Sequence, residues 1–295
     1  MSAVKRMLLL IIVLVSSGYG IQHQEIRPST AQKIVLSFDI DDVISGKTKV
    51  GLKEYATLIP RMLFWNPKLA IALLPHNYKQ IGQISANIQK TTQGSTNIIH
   101  GVNEWIKAHG YGDLSFYEPQ MVARSQKPYP VMPMINAIKK FKAQGYTVIG
   151  ATNQDHMQHQ AYRAYMLRYH NIDLNELFDA VLTTHVHHVD MPAGSGLIYR
   201  VNAKDNMYAT RRAQDCKPHT GYFNAVQELV KQIAPDAVHI MHTDDKLENV
   251  QAAQSVGISG IHFNLAAGTI RKSTPSEIVT TFDLWQKDLA THEIS

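Results

Sequence analysis

Residues 33–39 read Lys33-Ile34-Val35-Leu36-Ser37-Phe38-Asp39, a short run that is apolar on both faces and stops at a carboxylate. A strand with one wet face alternates apolar and polar residues, whereas one apolar on both faces belongs in the middle of a parallel sheet covered by helices. Similar runs recur at 146–151, 178–184, 237–243 and 258–263. Helical patterns lie at 132–144, 156–169, 221–233 and 247–255. Strand and helix alternate repeatedly, which predicts an α/β chain with a Rossmann-like, doubly wound parallel sheet.

Two stretches break the alternation. Residues 43–142 carry helical patterns and no convincing strand, far more chain than an α/β connection needs, so they are read as an inserted helical cap. The α/β core is then 21–42 together with 143–295. Within the core, residues 197–201 and 207–210 flank a polar turn and predict a small hairpin beside the site. In the cap, Leu58-Ile59-Pro60-Arg61-Met62-Leu63-Phe64-Trp65 and residues 69–74 are strongly apolar. Such segments can line an apolar pocket or touch a membrane. A small helical cap also needs a core of its own, and that is the reading taken here.

Residues 1–20 are of another kind: Lys5 and Arg6, an unbroken apolar stretch at 7–15, then small residues as far as Gly20. That order is the layout of a secretory signal peptide, and the apolar stretch is short for a membrane span. It predicts export to the periplasm or medium, or an amino-terminal membrane anchor if the segment is retained. The whole chain has 29 basic and 24 acidic residues, net +5, and removing 1–20 leaves 27 against 24. That excess is too mild and dispersed for a nucleic-acid surface. Cys216 is the single cysteine, so the core forms without an internal disulfide, and a small buried residue is its expected role.

In an open α/β sheet, ligands bind at the carboxyl ends of the strands. Here those ends carry Asp39, Asp41 and Asp42 after the first run, Thr152 and Asn153 after the second, and Asp244 and Asp245 after the fourth. Lys217 opens the helix before that fourth strand. Phosphoryl transfer uses these groups. One carboxylate attacks phosphorus, and a second, two residues along, protonates the leaving oxygen and then activates water. Repulsion between the two separates their pKa values. Mg²⁺ held by Asp39 and the later carboxylates would screen the anionic nucleophile from the anionic phosphate, while Lys217 and Thr152 bind the remaining oxygens.

Phe38-Asp39-Ile40-Asp41-Asp42-Val43-Ile44 resembles the first motif of the haloacid-dehalogenase-like (HAD-like) hydrolase superfamily. Residues 148–153, ending in Thr152-Asn153, resemble its second motif, Cys216-Lys217-Pro218 with Phe223 its third, and residues 244–253 its fourth, in the family's order. The resemblance implies Asp39 as nucleophile and metal ligand. It makes Asp41 the general acid and base, and a metal ligand through its backbone carbonyl. Thr152 and Lys217 become phosphate binders, Asn153 adds a backbone N–H to the cradle, and Asp244 and Asp245 stand at the metal. The insert matches the family's first-type (C1) cap. Cys216 stands where a glycine often precedes the lysine, and His242 and Thr243 replace more apolar residues. The implied activity is phosphomonoester hydrolysis of a small-molecule phosphate ester or phosphorylated substrate. Phosphotransfer to an alcohol and a non-catalytic binding role are the alternatives. His185, His187, His188 and Asp190 could form a transition-metal site, but spacing fixes no fourth ligand, so solvated or hydrogen-bonded histidines are the default.

Overall fold

The computed structural model describes residues 33–47 and 58–263, apart from 73, 93–94, 126, 187–189, 192, 203 and 213. Residues 1–20, which the sequence reading takes as a leader, and His187 and His188 lie outside the described residues. Strand β1 (Ile34–Phe38) is followed by the short β2 (Ser45–Lys47). Helices α1 (Ile59–Trp65), α2 (Leu69–Ala72), α3 (Pro75–Thr92), α4 (Ser95–Ala108) and α5 (Glu118–Ser125) follow, before β3 (Pro128–Pro130) pairs antiparallel with β2. Then come α6 (Met132–Ala143), β4 (Thr147–Asp155), α7 (His156–His170), α8 (Leu174–Leu177) and β5 (Ala180–Thr184). The chain continues through β6 (Ile198–Arg200), β7 (Met207–Thr210), α9 (Thr220–Ile233), β8 (His239–Asp244), α10 (Leu247–Ser255) and β9 (Ser259–His262).

Seven of these strands form one sheet in the order β6-β7-β5-β4-β1-β8-β9, parallel except for the β6–β7 pair. β1 lies between β4 and β8, so its carboxyl end opens where the connections turn to opposite sides, the place where such sheets bind ligands. Successive side chains on a strand point to opposite faces. Leu36 and Phe38 accordingly join the cluster made with α6, α7 and α8, while Val35 joins Ile149, Ala151 and Leu182 beneath α9 and α10. Every residue of β1 is buried, as its two-sided apolar pattern requires. The hairpin anticipated at 197–210 forms as β6–β7, and it extends the sheet edge through parallel pairing of β7 with β5.

The insert has a core of its own. Leu58, Met62, Leu69 and Ala72 bury against Ile106, Leu114 and Tyr117. Asn103 ties this unit together, accepting from Leu114 N at 2.6 Å and donating to Glu118 Oε1 at 2.8 Å. Phe64, Trp65, Ile71 and Leu74 remain exposed.

The boundary drawn at 142 needs correction. Helix α6 lies on the sequence's insert side of that boundary, yet Met134, Ile135, Ile138 and Phe141 pack into the sheet's own core. The β2–β3 ribbon, with Lys47 opposite Pro128, is where the chain leaves the core and returns. Ile138→Ala should therefore lower stability by about 2–5 kcal/mol, the usual cost of a buried large-to-small change. Phe64→Ser on the exposed face should stay within about 0.5 kcal/mol. Urea unfolding of the two variants checks this placement of α6, and equal, small effects would contradict it.

Candidate active site

The first strand ends at Phe38, and Asp39 is pinned to the neighbouring strand by its N–H, which donates to Thr243 O at 2.8 Å. The chain then turns sharply. Ile40 O accepts from both Ile44 N and Ser45 N at 3.2 Å, and Asp42 sits in the left-handed region at φ 62°. Asp tolerates that conformation better than most residues, which gives Asp42 a backbone reason to be there. Ile40, Val43 and Ile44 are fully buried in the core cluster and anchor the turn. A side chain at Gly150 would press on this anchor, since its Cβ would stand 3.1 Å from Ile40 Cδ1.

Lys217 is the centre of the charged group. Its Nζ lies 2.8 Å from Asp39 Oδ1 and 2.7 Å from Asp244 Oδ2, with only 2% of the lysine side chain exposed. Burial opposes its charge, but Asp244 and Asp39 outweigh that and raise its pKa, so the ammonium is held. Asp244 is saturated with donors. Oδ2 takes Lys217 and His242 Nε2 at 3.2 Å, and Oδ1 takes Lys246 N at 3.0 Å and Asn249 Nδ2 at 2.8 Å. Burial acts against ionisation there too, but Lys217 and the His242 bond hold the Asp244 carboxyl far below the ordinary range. Burial raises Asp39 well above its usual value despite Lys217, with repulsion from Asp244 and Asp41 adding to the rise. Asp245 is also raised, by burial and then by Asp244 and Asp42.

Asp39, Asp244 and Asp245 each offer an oxygen, and these oxygens lie within 4.8 Å of one another. Three carboxylates in that space repel, and two of them have raised pKa values because of burial and their neighbours. A hard divalent cation with oxygen ligands fits the donor set and its charge. Asp245, just past the end of β8, is more open than the buried Asp244, and among the described residues no hydrogen bond falls on its carboxylate. Asp41 stands outside this carboxylate group.

The remaining sequence-predicted residues gather at the same edge. Thr152 is fully buried, and its Oγ accepts from Gln154 N at 3.1 Å. Asn153 does something its sequence position did not suggest. Its side chain clamps the Lys217 peptide, Oδ1 accepting from Lys217 N at 2.7 Å and Nδ2 donating to Lys217 O at 2.9 Å. Cys216 is buried, and burial raises its thiol pKa, the reverse of a nucleophile's requirement. His185 is buried and bonds Tyr199 Oη at 2.9 Å through Nδ1. That contact matches a structural histidine.

Two residues were missed. Gln154 Nε2 donates to Asp41 Oδ1 at 2.9 Å, and Gln154 Oε1 meets His159 Nδ1 at 3.1 Å. An amide oxygen accepts only, so His159 carries its proton on Nδ1. His159 stacks on Tyr162, whose hydroxyl donates to Ser45 Oγ in the turn after Asp41. Gln154 is next to last in β4, which passes directly into α7 at Asp155, the cap that accepts from Gln158 N at 2.8 Å, and no spacing in the sequence marks Gln154 or His159 as neighbours of Asp41.

No protein-family model matches the sequence, and a search among curated proteins finds no relative. Solved structures similar to this chain include the HAD-family enzyme BT-2542 from Bacteroides thetaiotaomicron, in complex with magnesium and inorganic phosphate. It is 15% identical at a TM-score of 0.46, over 80% of this chain and 95% of that one. The L-2-haloacid dehalogenase from Xanthobacter autotrophicus, with chloropropionic acid covalently bound, is 17% identical at a TM-score of 0.41, over 80% and 79%. The HAD-hydrolase YfnB from Bacillus subtilis, bound to magnesium, is 17% identical at a TM-score of 0.41, over 79% and 89%.

Burial, with Arg163 adding to it, lowers His159 from 6.5 to about 3. The unfolded chain therefore takes up a proton below about pH 6.5 that the folded chain refuses until about pH 3, and stability must fall as pH drops through that window. His159→Asn keeps a donor toward Gln154 and removes the titration. Between pH 7 and 5, urea midpoints should fall less in this variant than in the parent; parallel curves would contradict the neutral, buried His159.

Proposed function

We propose that the chain is a hydrolase that cleaves phosphomonoesters through a phospho-aspartate on Asp39, with Mg²⁺ as its metal. The observation that carries this reading is the convergence, at the carboxyl end of the sheet, of Asp39, an ammonium 2.8 Å from it, two further carboxylates, and Asp41 held separately by Gln154. Asp39 Oδ1 is occupied by Lys217 and by its own neighbour Ile40 N at 2.7 Å, and among the described residues Oδ2 takes no hydrogen bond. Oδ2 is thus the oxygen free to engage phosphorus or metal.

The steps follow from the residues. Asp39 attacks phosphorus as the bond to the ester oxygen breaks, and Asp41 gives its proton to that departing oxygen. Asp41, now ionised, takes a proton from water, whose oxygen attacks the phosphorus of the acyl phosphate. Inorganic phosphate leaves and Asp39 is regenerated. Lys217 has three protons and spends two on carboxylates, which leaves one for a phosphate oxygen. Thr152 accepts from Gln154 N, so its own hydroxyl proton remains to donate. Bound Mg²⁺ would supply charge that lets an anionic nucleophile approach an anionic phosphate. Hydrolytic dehalogenation also uses an aspartate nucleophile, but it gives no work to Asp41 as an acid or to the carboxylate cluster. From the leader-like order of residues 1–20, we propose that the activity is exported, or tethered at the membrane if that segment is retained.

Phosphate release from a panel of esters tests the proposal. Asp39→Asn should stay folded and lose at least about three orders of magnitude in turnover, as removal of a nucleophile does. A chelator should abolish activity and Mg²⁺ restore it. Normal turnover by Asp39→Asn would overturn the mechanism, and no turnover by the parent on any phosphate ester with Mg²⁺ would favour a non-catalytic role.

Gln154 gives a finer expectation. A poor leaving group needs the Asp41 proton, whereas p-nitrophenolate leaves without help. Gln154→Leu should therefore lower kcat on an alkyl phosphate about tenfold or more while sparing p-nitrophenyl phosphate, by the size of typical general-acid contributions. An equal loss on both substrates would mean that Gln154 serves the fold and not the acid.

A further inference from the structure

The cap carries an apolar face that no part of the described chain covers. Phe64 is 76% exposed and Trp65 72%, their rings meeting edge to face at 5.3 Å, and Ile71 and Leu74 are exposed on the next turns of chain. α1 and α2, with Leu58 just before them, use Met62, Leu69 and Ala72 to hold the cap core, so this part of the chain is apolar on a second side as well. Burial of one set does not explain the other.

Charge identifies what could cover this face. From Tyr55 to Asn103 the sequence runs 49 residues with no Asp or Glu, while it contains Arg61, Lys68, Lys79 and Lys90. Arg61, Lys68 and Lys79 are exposed. Asp113 approaches this region, since its backbone O accepts from Asn66 Nδ2 at 3.5 Å, but its carboxylate is already 3.6 Å from Lys107. We propose that this face docks on an anionic lipid bilayer, with Phe64 and Trp65 in the headgroup region and Arg61, Lys68 and Lys79 against lipid phosphates. Aromatic rings with flanking cations are what an interfacial site needs, and each basic residue at an anionic surface adds favourable binding. A second copy seated face to face would bring the same cations together, which disfavours a symmetric dimer. The docking is peripheral: among the described residues no helix is long and apolar enough to cross a membrane. It does not depend on the activity proposed above.

Trp65 reports the contact directly. The full chain carrying W105F and W285F keeps Trp65 as its single tryptophan. On adding vesicles of phosphatidylglycerol and phosphatidylcholine, its emission should move to shorter wavelength, and it should not move with phosphatidylcholine alone. R61Q/K68Q in this background should weaken the apparent affinity about tenfold or more, the size expected for two surface charges. In the otherwise unaltered chain, bromine-labelled lipid should quench emission, and W65F should remove most of that quenching, which covers the case where the paired replacements disturb the cap. Sedimentation with vesicles while Trp65 stays unshifted would assign binding to the leader and overturn the proposal. So would equal shifts with both lipids, or a concentration-dependent shift without vesicles, which would mean self-association.

Discussion

The Lys217 ammonium, shared between Asp39 and Asp244, is the contact on which the site depends. Taking three charges out of water is costly, and the arrangement holds only because nearly every charged atom has a close partner. Lys217 reaches both carboxylates under 3 Å, and Asp244 is met by four donors from three different segments. The lysine is placed by its backbone, which Asn153 grips at both N–H and C=O. One cation therefore fixes the relative positions of β1, β4, β8 and the segment before α9. The trio still carries a net negative charge, and Asp245, Asp41 and Asp42 stand around it. That imbalance is the physical reason to expect a further cation.

Asp41, the proposed acid, is separated from this cluster by geometry. Ile40 points into the core between Asp39 and Asp41, and the turn closed by Ile40 O and the left-handed Asp42 carries Asp41 to a different neighbour. Gln154 can donate a hydrogen bond to Asp41 but has no proton to exchange, and His159 behind it is held neutral by burial. Two carboxylates two residues apart thus occupy different environments: one beside an ammonium, the other beside an amide. Different environments are what let paired carboxylates take different roles.

The sheet was legible because its central strands are apolar on both faces, a pattern that water-facing strands do not produce. The gathering of Asp39, Asp41, Thr152, Asp244 and Asp245 at one edge was legible because the strand ends of such a sheet lie together, and Lys217, just before α9, stands at the same edge. Other features carried no comparable signal. A glutamine two residues past Thr152 has an ordinary side chain at an ordinary spacing, so only the fold brings Gln154 to Asp41. The Asn153 clamp joins residues 64 apart and is equally invisible. Helix α6 was misassigned by the boundary at 142 because its apolar face looks the same whether it packs on a cap or on the sheet. Likewise the apolar residues at 58–74 divide between a cap core and an exposed face, a division that composition does not reveal.

The central claim is a covalent bond between Asp39 and phosphorus during turnover. Borohydride reduces an acyl phosphate of aspartate to homoserine and leaves a free carboxylate untouched, so trapping during steady-state hydrolysis followed by peptide mass analysis reads the claim at one residue. Homoserine at position 39, dependent on substrate and Mg²⁺, is the predicted result. Turnover with Asp39 left intact, or homoserine at another aspartate, would contradict it.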